Sequence, residues 1–166
     1  MGLIVESKRA ILVTNLAQDG ERHQFFIDWM ASRIDLDGVF KAEDAIAIAH
    51  VEYTEDLKAQ VLGVVAINNW SPAACEGHIA SNGSGRWMTR KFARFVYDFV
   101  FNHAGKCRFN FVVGVDNEQA VRMHDKLGHE RMCRLADAYG DGRDAYLYGL
   151  TKKQWLTGKY VQPKEA

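Results

Sequence analysis

The spacing of the apolar residues constrains this chain most. Along its 166 residues that spacing switches repeatedly between two, the period of a strand, and three to four, the period of a helix. Such a chain buries its apolar faces by laying helices on a sheet. Residues 10–16 predict a first strand, closed by the turn-prone Gln18-Asp19-Gly20. Apolar residues at 26, 29, 30 and 34 predict an amphipathic helix over residues 22–34, with Gly38 in the loop behind it. Residues 45–53 alternate as a strand, and residues 60–68 form a second β-branched run. Only the charged turn 54–58 separates the two, so they read as a hairpin. Residues 74–81 are a fourth strand, on which Glu76, His78 and Ala80 share a face because successive side chains point to opposite sides.

The longest helical pattern covers residues 86–104. Met88, Phe92, Phe95, Val96 and Phe99 form its core stripe, and Gly105 ends it. A buried strand over 107–115 follows, then a helix to Leu127 that either Asp116 or Asn117 caps. Asp116 with Gln119 matches a capping box, and Gly128 stands at the usual stop. Residues 130–136 and 144–150 flank Tyr139-Gly140-Asp141-Gly142 as a last hairpin, and Thr151 with Gln154 caps a closing helix. The order β-α-β-β-β-α-β-α-β-β predicts an α/β (α+β) fold: a single mixed, mostly antiparallel sheet flanked by helices. The length corresponds to about one domain, residues 1–166.

Composition narrows the functional classes. Lys and Arg total 21 against 21 Asp and Glu, a balance that argues against a surface built throughout for nucleic acid. No apolar run approaches the ~20 residues of a membrane span. Residues 1–9 carry charge from position six and lack the apolar stretch of a secretory signal. Cys75, Cys107 and Cys133, an odd number without close pairing, fit free thiols in a reducing cytoplasm. Cys75 with His78, and His124 with His129, are the only neighbours of metal-ligand type. Neither has a supporting second pair, so no metal is expected.

The chemically informative segment is residues 81–94. Ser81-Asn82-Gly83-Ser84-Gly85 reads as a tight loop that feeds a helix, and such a junction presents unpaired N–H groups at the positive end of the helix dipole. First turns ordinarily favour Asp and Glu, yet Arg86, Arg90, Lys91 and Arg94 put four basic residues in the first nine positions without an acid among them. The pattern carries a penalty of about 0.3–1 kcal/mol per charge at the first turn. A multiply phosphorylated ligand would offset it; a solvated basic face is the plainer alternative.

Val115-Asp116-Asn117-Glu118-Gln119-Ala120-Val121-Arg122-Met123-His124-Asp125-Lys126-Leu127-Gly128-His129-Glu130 resembles a run of the GNAT superfamily of acyl-CoA-dependent N-acetyltransferases. Asn117, Ala120, Met123, Lys126, Gly128 and Glu130 fit that run, and residues 140–150 look like the family's terminal hairpin strand. The resemblance covers about residues 73–150. It implies the GNAT-like fold, acetyl-CoA as cosubstrate, and direct attack by a primary amine within a ternary complex. It also implies an acetyl-CoA site built from Ile79, Ala80, Ser81, Ser84, Gly85, Arg86, Trp87, Met88, Thr89, Arg90, Asn117 and His124. His124 stands where the family commonly carries a tyrosine, the acid for the departing thiolate. Backbone N–H groups near Ile79, Ala80 and Ser81 are the oxyanion donors, and Glu76 and His78 are the base candidates, with His50 and Glu52 behind them.

The departures set expectations of their own. The family loop usually reads R/Q-x-x-G-x-G/A; here Trp87 takes a small-residue position, where a bulky ring narrows the approach to the phosphates. His129 replaces the usual phenylalanine and reads as a packed aromatic. A degraded loop and a missing tyrosine also fit a non-catalytic module of the same fold, a CoA sensor or a protein- or nucleic-acid-binding piece. Phe92 and Phe95, taken as core, give the nucleic-acid version no help. The acceptor pocket is expected from residues 23–37 and 68–70, with Phe25, Phe26 and Trp29 as lining or plain core. The acceptor, a small molecule or a protein amine, and the oligomeric state, a homodimer included, are left open.

Overall fold

A computed structural model describes residues 8–34, 41–56 and 58–160. Asp37 and Gly38 lie outside the described residues. Among these residues seven strands hydrogen-bond in the order β1-β2-β3-β4-β5-β7-β6: β1 Lys8–Asn15, β2 Ile46–Tyr53, β3 Ala59–Asn68, β4 Ala74–Ser81, β5 Arg108–Gly114, β6 Glu130–Leu135 and β7 Ala145–Thr151. β4 pairs parallel with β5, whereas β1–β2, β2–β3, β5–β7 and β6–β7 pair antiparallel. This is the mixed, mostly antiparallel sheet that the order of elements predicts. Among the described residues four α-helices accompany it, α1 Leu16–Ala31, α2 Arg90–Asp98, α3 Glu118–Leu127 and α4 Lys152–Thr157. The described residues up to Asn68, together with Ile79–Val96, pack as one unit; Asn69–His78 and the described residues from Tyr97 onward pack as another.

In the first unit α1 begins earlier than its apolar spacing predicts. The Asn15 side chain accepts from the Gln18 N–H at 2.9 Å and starts the helix at Leu16. Gln18-Asp19-Gly20 therefore falls inside the helix, as a kink at Asp19 (φ −135°, ψ 44°), rather than in a turn before it. Phe26, Ile27 and Met30 are buried in one core with Ala47, Ala49 and Val51 of β2 and Val61, Val64 and Ala66 of β3. The alanines of β2 leave room for the bulkier helix side chains. Each Phe or Met so buried contributes roughly 1.5–3 kcal/mol. His23 is fully buried and bonded on both ring nitrogens, Nε2 donating to the Ala42 carbonyl at 2.8 Å and Nδ1 lying 3.0 Å from Thr14 Oγ1.

In the second unit Asn117, not Asp116, caps α3: its side-chain oxygen accepts from the Ala120 N–H at 3.1 Å. The closing helix carries the expected capping box, with Thr151 Oγ1 accepting from Gln154 N and Gln154 Oε1 from Thr151 N. The long helix is shorter than predicted. It starts at Arg90, and after Asp98 the chain continues as a π-helical turn, Phe99–His103. Phe95 is 39% exposed and not part of the core stripe assigned to it.

Candidate active site

Within the first unit β4 ends at Ser81, and the Asn82 N–H donates to the Leu62 carbonyl at 2.9 Å. Two side-chain turns then fold the loop. Ser81 Oγ accepts from Gly83 N at 3.2 Å, and Asn82 Oδ1 accepts from Ser84 N at 3.0 Å. Gly83 (φ 81°) and Gly85 (φ 70°) hold left-handed conformations, the reason glycine recurs here. Thr89 Oγ1 accepts from the Phe92 N–H at 3.1 Å and its carbonyl from Ala93 N at 2.9 Å, so Thr89 caps α2. Among the described residues no acceptor meets the backbone N–H groups of Gly85, Arg86, Trp87, Met88 or Thr89. Arg86, Arg90 and Lys91 are exposed beside them, whereas Arg94 is half-buried instead of lying fully on the solvent side.

Trp87 does not obstruct this loop as expected. Its ring is 6% exposed, turned into the core of the first unit against Gly63 and edge-on to Phe92 (centroids 5.9 Å, 61°). Its carbonyl accepts from His50 Nδ1 at 2.6 Å, and His50 stacks on Phe92 at 4.9 Å. Burial pulls the His50 pKa down against that backbone bond. His50 thereby anchors the loop, and Glu52 pairs with Arg9 at 3.1 Å. Arg9 also donates to the Arg86 carbonyl at 3.3 Å. Of the other candidates here, Ala80 is buried in the core, and Ile79 and Ser81 are half-buried.

Within the second unit the β4–β5 ladder ends at Glu76 opposite Asn110. Glu76 and His78 do meet: Glu76 Oε1 lies 3.8 Å from His78 Nε2. Asn69, at φ 50°, donates from Nδ2 to the other carboxylate oxygen at 3.0 Å. Burial pushes the His78 pKa below its ordinary value, and the Glu76 charge opposes the shift in part. An imidazole held uncharged beside a carboxylate is a competent proton acceptor.

His124 is 3% exposed, between Phe111 (centroids 4.8 Å) and Tyr148 (5.1 Å, 22°). Burial holds its pKa at about 4, with Asp125 opposing. The expected acid is therefore an uncharged imidazole at neutral pH. Its Nδ1 lies 2.7 Å from Nδ1 of His129, and His129 Nε2 lies 2.7 Å from the Tyr97 hydroxyl. Sequence reasoning put His129 only among packed aromatics. The signal for its role was local: Gly128 at φ 81° closes a Schellman turn, in which His129 N donates to the His124 carbonyl (3.1 Å) and Gly128 N to that of Asp125 (3.2 Å). That turn brings together the side chains on either side of it, here two histidines. Tyr97 had no such signal. Asn117 spends its carboxamide oxygen on the α3 cap.

No family model and no curated protein matches the chain. Solved structures do. A spermidine N-acetyltransferase from Vibrio cholerae in complex with CoA and spermine superposes with a TM-score of 0.63 at 13% identity, covering 89% of this chain and 98% of its own. A chimera of the Vibrio cholerae enzyme with hSSAT gives 0.66 at 13% identity, over 89% of this chain and 99% of the other. A dodecameric form of the Vibrio cholerae enzyme gives 0.62 at 12%, over 89% and 96%. The fold is GNAT-like, shared with those N-acetyltransferases. At 12–14% identity the likeness is one of fold alone. Within the GNAT fold of this chain no described helix is long and apolar enough to cross a membrane.

Proposed function

We propose that this chain transfers an acetyl group from acetyl-CoA to a primary amine by direct attack. The carrying observation is the loop from Asn82 to Thr89 in a GNAT fold: glycines in left-handed geometry, a run of backbone N–H groups without internal acceptors, and Arg86, Arg90 and Lys91 beside a capped helix start. That donor set suits a diphosphate, because N–H groups at a helix start and cations both favour anionic oxygen. Half-buried Ile79 and Ser81 are the backbone positions for the thioester carbonyl. The amine nitrogen bonds to the acetyl carbon and the C–S bond breaks. One proton leaves the nitrogen, and the His78–Glu76 pair has the chemistry to take it; the thiolate that departs suits an uncharged His124 ring as a hydrogen-bond donor. The inward-turned Trp87 leaves the loop backbone open to the phosphates, as both an acetyltransferase and a CoA sensor of the same fold require, so thiol release in the presence of an amine separates the two.

Titration with acetyl-CoA tests the reading. At a hundredfold excess over its Kd the ligand stabilises the fold by about 2.7 kcal/mol, a Tm rise of roughly 5–10 °C for a chain of this size. No shift at millimolar acetyl-CoA refutes the proposal. Thiol release with a panel of amines then identifies the acceptor. Polyamines head the panel, since a protein of the same fold is seen with CoA and spermine. Self-association belongs to the same reading, given a dodecamer of this fold, and sedimentation measures it. Three free thiols suit a reducing compartment such as the cytoplasm.

A further inference from the structure

We infer that Tyr97, acting through His129, locks the ring proton of His124 onto Nε2. The inference rests on a chain of three buried side chains: Tyr97 at 3% exposure, His129 at 6% and His124 at 3%. Two nitrogens of the same kind, Nδ1 of His124 and Nδ1 of His129, face each other at 2.7 Å. A hydrogen bond at that distance needs one proton between them, so one ring donates and the other accepts. Burial holds both rings uncharged, His124 at about 4 and His129 well below its ordinary value. Each therefore owns a single N–H, and the two tautomers are coupled.

Two arrangements satisfy that coupling. In the first, the Tyr97 hydroxyl donates to His129 Nε2. His129 then carries its proton on Nδ1 and donates to His124 Nδ1, which leaves the His124 proton on Nε2. In the second, every direction is reversed: His129 Nε2–H points at the Tyr97 oxygen and His124 Nε2 is bare. Among the described residues the only hydrogen-bond partner of the Tyr97 hydroxyl is His129 Nε2. The reversed arrangement therefore leaves a buried O–H without an acceptor, which disfavours it by about tenfold or more. Burial pushes the Tyr97 pKa upward, so the hydroxyl keeps its proton and remains a donor. The flanking rings leave little freedom for an alternative: His129 is stacked on Phe111 (4.6 Å, 10°), and the Tyr148 ring packed on His124 is fixed by its hydroxyl, which donates to Asp125 at 3.0 Å and accepts from Arg131 at 3.1 Å.

His124 is in this way a fixed hydrogen-bond donor and not an acid that gives up its proton, the role an uncharged imidazole plays when it polarises an oxygen or sulfur carrying developing charge. Tyr97 and His129 are positioning residues for it. That the N–H faces the sulfur of coenzyme A rests on the acetyltransferase reading; the lock itself does not. Long-range proton–nitrogen NMR on histidine-labelled protein at pH 7, with His124→Gln to assign the signals, reads the tautomer directly. The expected spectrum shows His124 as the Nε2–H form. Tyr97→Phe removes the donor and shifts His124 to a mixture of both forms. His129→Phe, which keeps a ring against Phe111, does the same. His124 found as Nδ1–H, or unchanged in both variants, overturns the inference. In turnover, Tyr97→Phe lowers kcat about tenfold while KM for acetyl-CoA stays within about twofold; an unchanged kcat in an active enzyme overturns the role in catalysis. A protein that shows the lock but binds no acetyl-CoA upholds the inference and refutes the function proposed above.

Discussion

Replacing Gly63 by alanine tests how the loop is held. A Cβ at Gly63 meets the Trp87 ring, lying 2.7 Å from Cδ2 and 2.8 Å from Cζ3, with Cε3 closer still. These atoms belong to a rigid indole that is 6% exposed, with Phe92 against it and the Trp87 carbonyl tied to His50. The ring has no small rotation that relieves the overlap, so it must leave its site. Losing a buried tryptophan costs about 3–5 kcal/mol, and the stiffer unfolded chain of an alanine variant returns only ~0.4–1 kcal/mol. Gly63→Ala should therefore destabilise by about 2–5 kcal/mol in urea unfolding, with tryptophan fluorescence shifting toward an exposed indole. Trp87→Ala alone should cost about 3–5 kcal/mol. The double variant has nothing left to clash and should cost no more than Trp87→Ala, so the two changes are non-additive by 2 kcal/mol or more, as contacting residues can be. Additive costs, or a Gly63→Ala protein within about 1 kcal/mol of the parent, would refute the packing argument.

Acid should destabilise the fold through its buried histidines. The His124 pKa falls on folding from 6.5 to about 4. Between those values the unfolded chain binds more protons, so this stability is complete above about pH 6.5 and is lost as pH falls toward 4. The loss amounts to about 3 kcal/mol from this ring; a urea midpoint that does not move from pH 7 to pH 4 would contradict its burial. Cys75 is buried and its thiol pushed up to about 12, while Cys107 and Cys133 are exposed. A disulfide reagent at pH 8 should accordingly titrate two thiols in the native protein and the third only on unfolding. Asn117→Ala removes the α3 cap and should cost about 1 kcal/mol, while Asn117→Asp, which keeps the acceptor, should stay within a few tenths; equal losses for both would place the role of Asn117 elsewhere.

The sequence by itself determined the order of elements, the four later strands almost to the residue, and the cap at Thr151 with Gln154. Strand alternation and capping are written within a few neighbouring residues, so reading neighbours is enough. Where a helix began elsewhere than its apolar spacing predicts, after Asn15 and after Thr89, and where the cap was open between Asp116 and Asn117, the deciding side-chain bond was also local. The loop and its unusual basic flank were legible for the same reason. Tertiary structure decided the rest. Trp87 reads as an obstruction until Gly63, on another strand, gives its ring a place to go. His124 reads as an acid until Phe111, Tyr148 and His129 exclude water from it and take away its charge. Tyr97 carries no sign of its part, because its partner His129 lies 32 residues further along the chain. Desolvation depends on every group that surrounds a side chain, and those neighbours come from elements that only folding brings together.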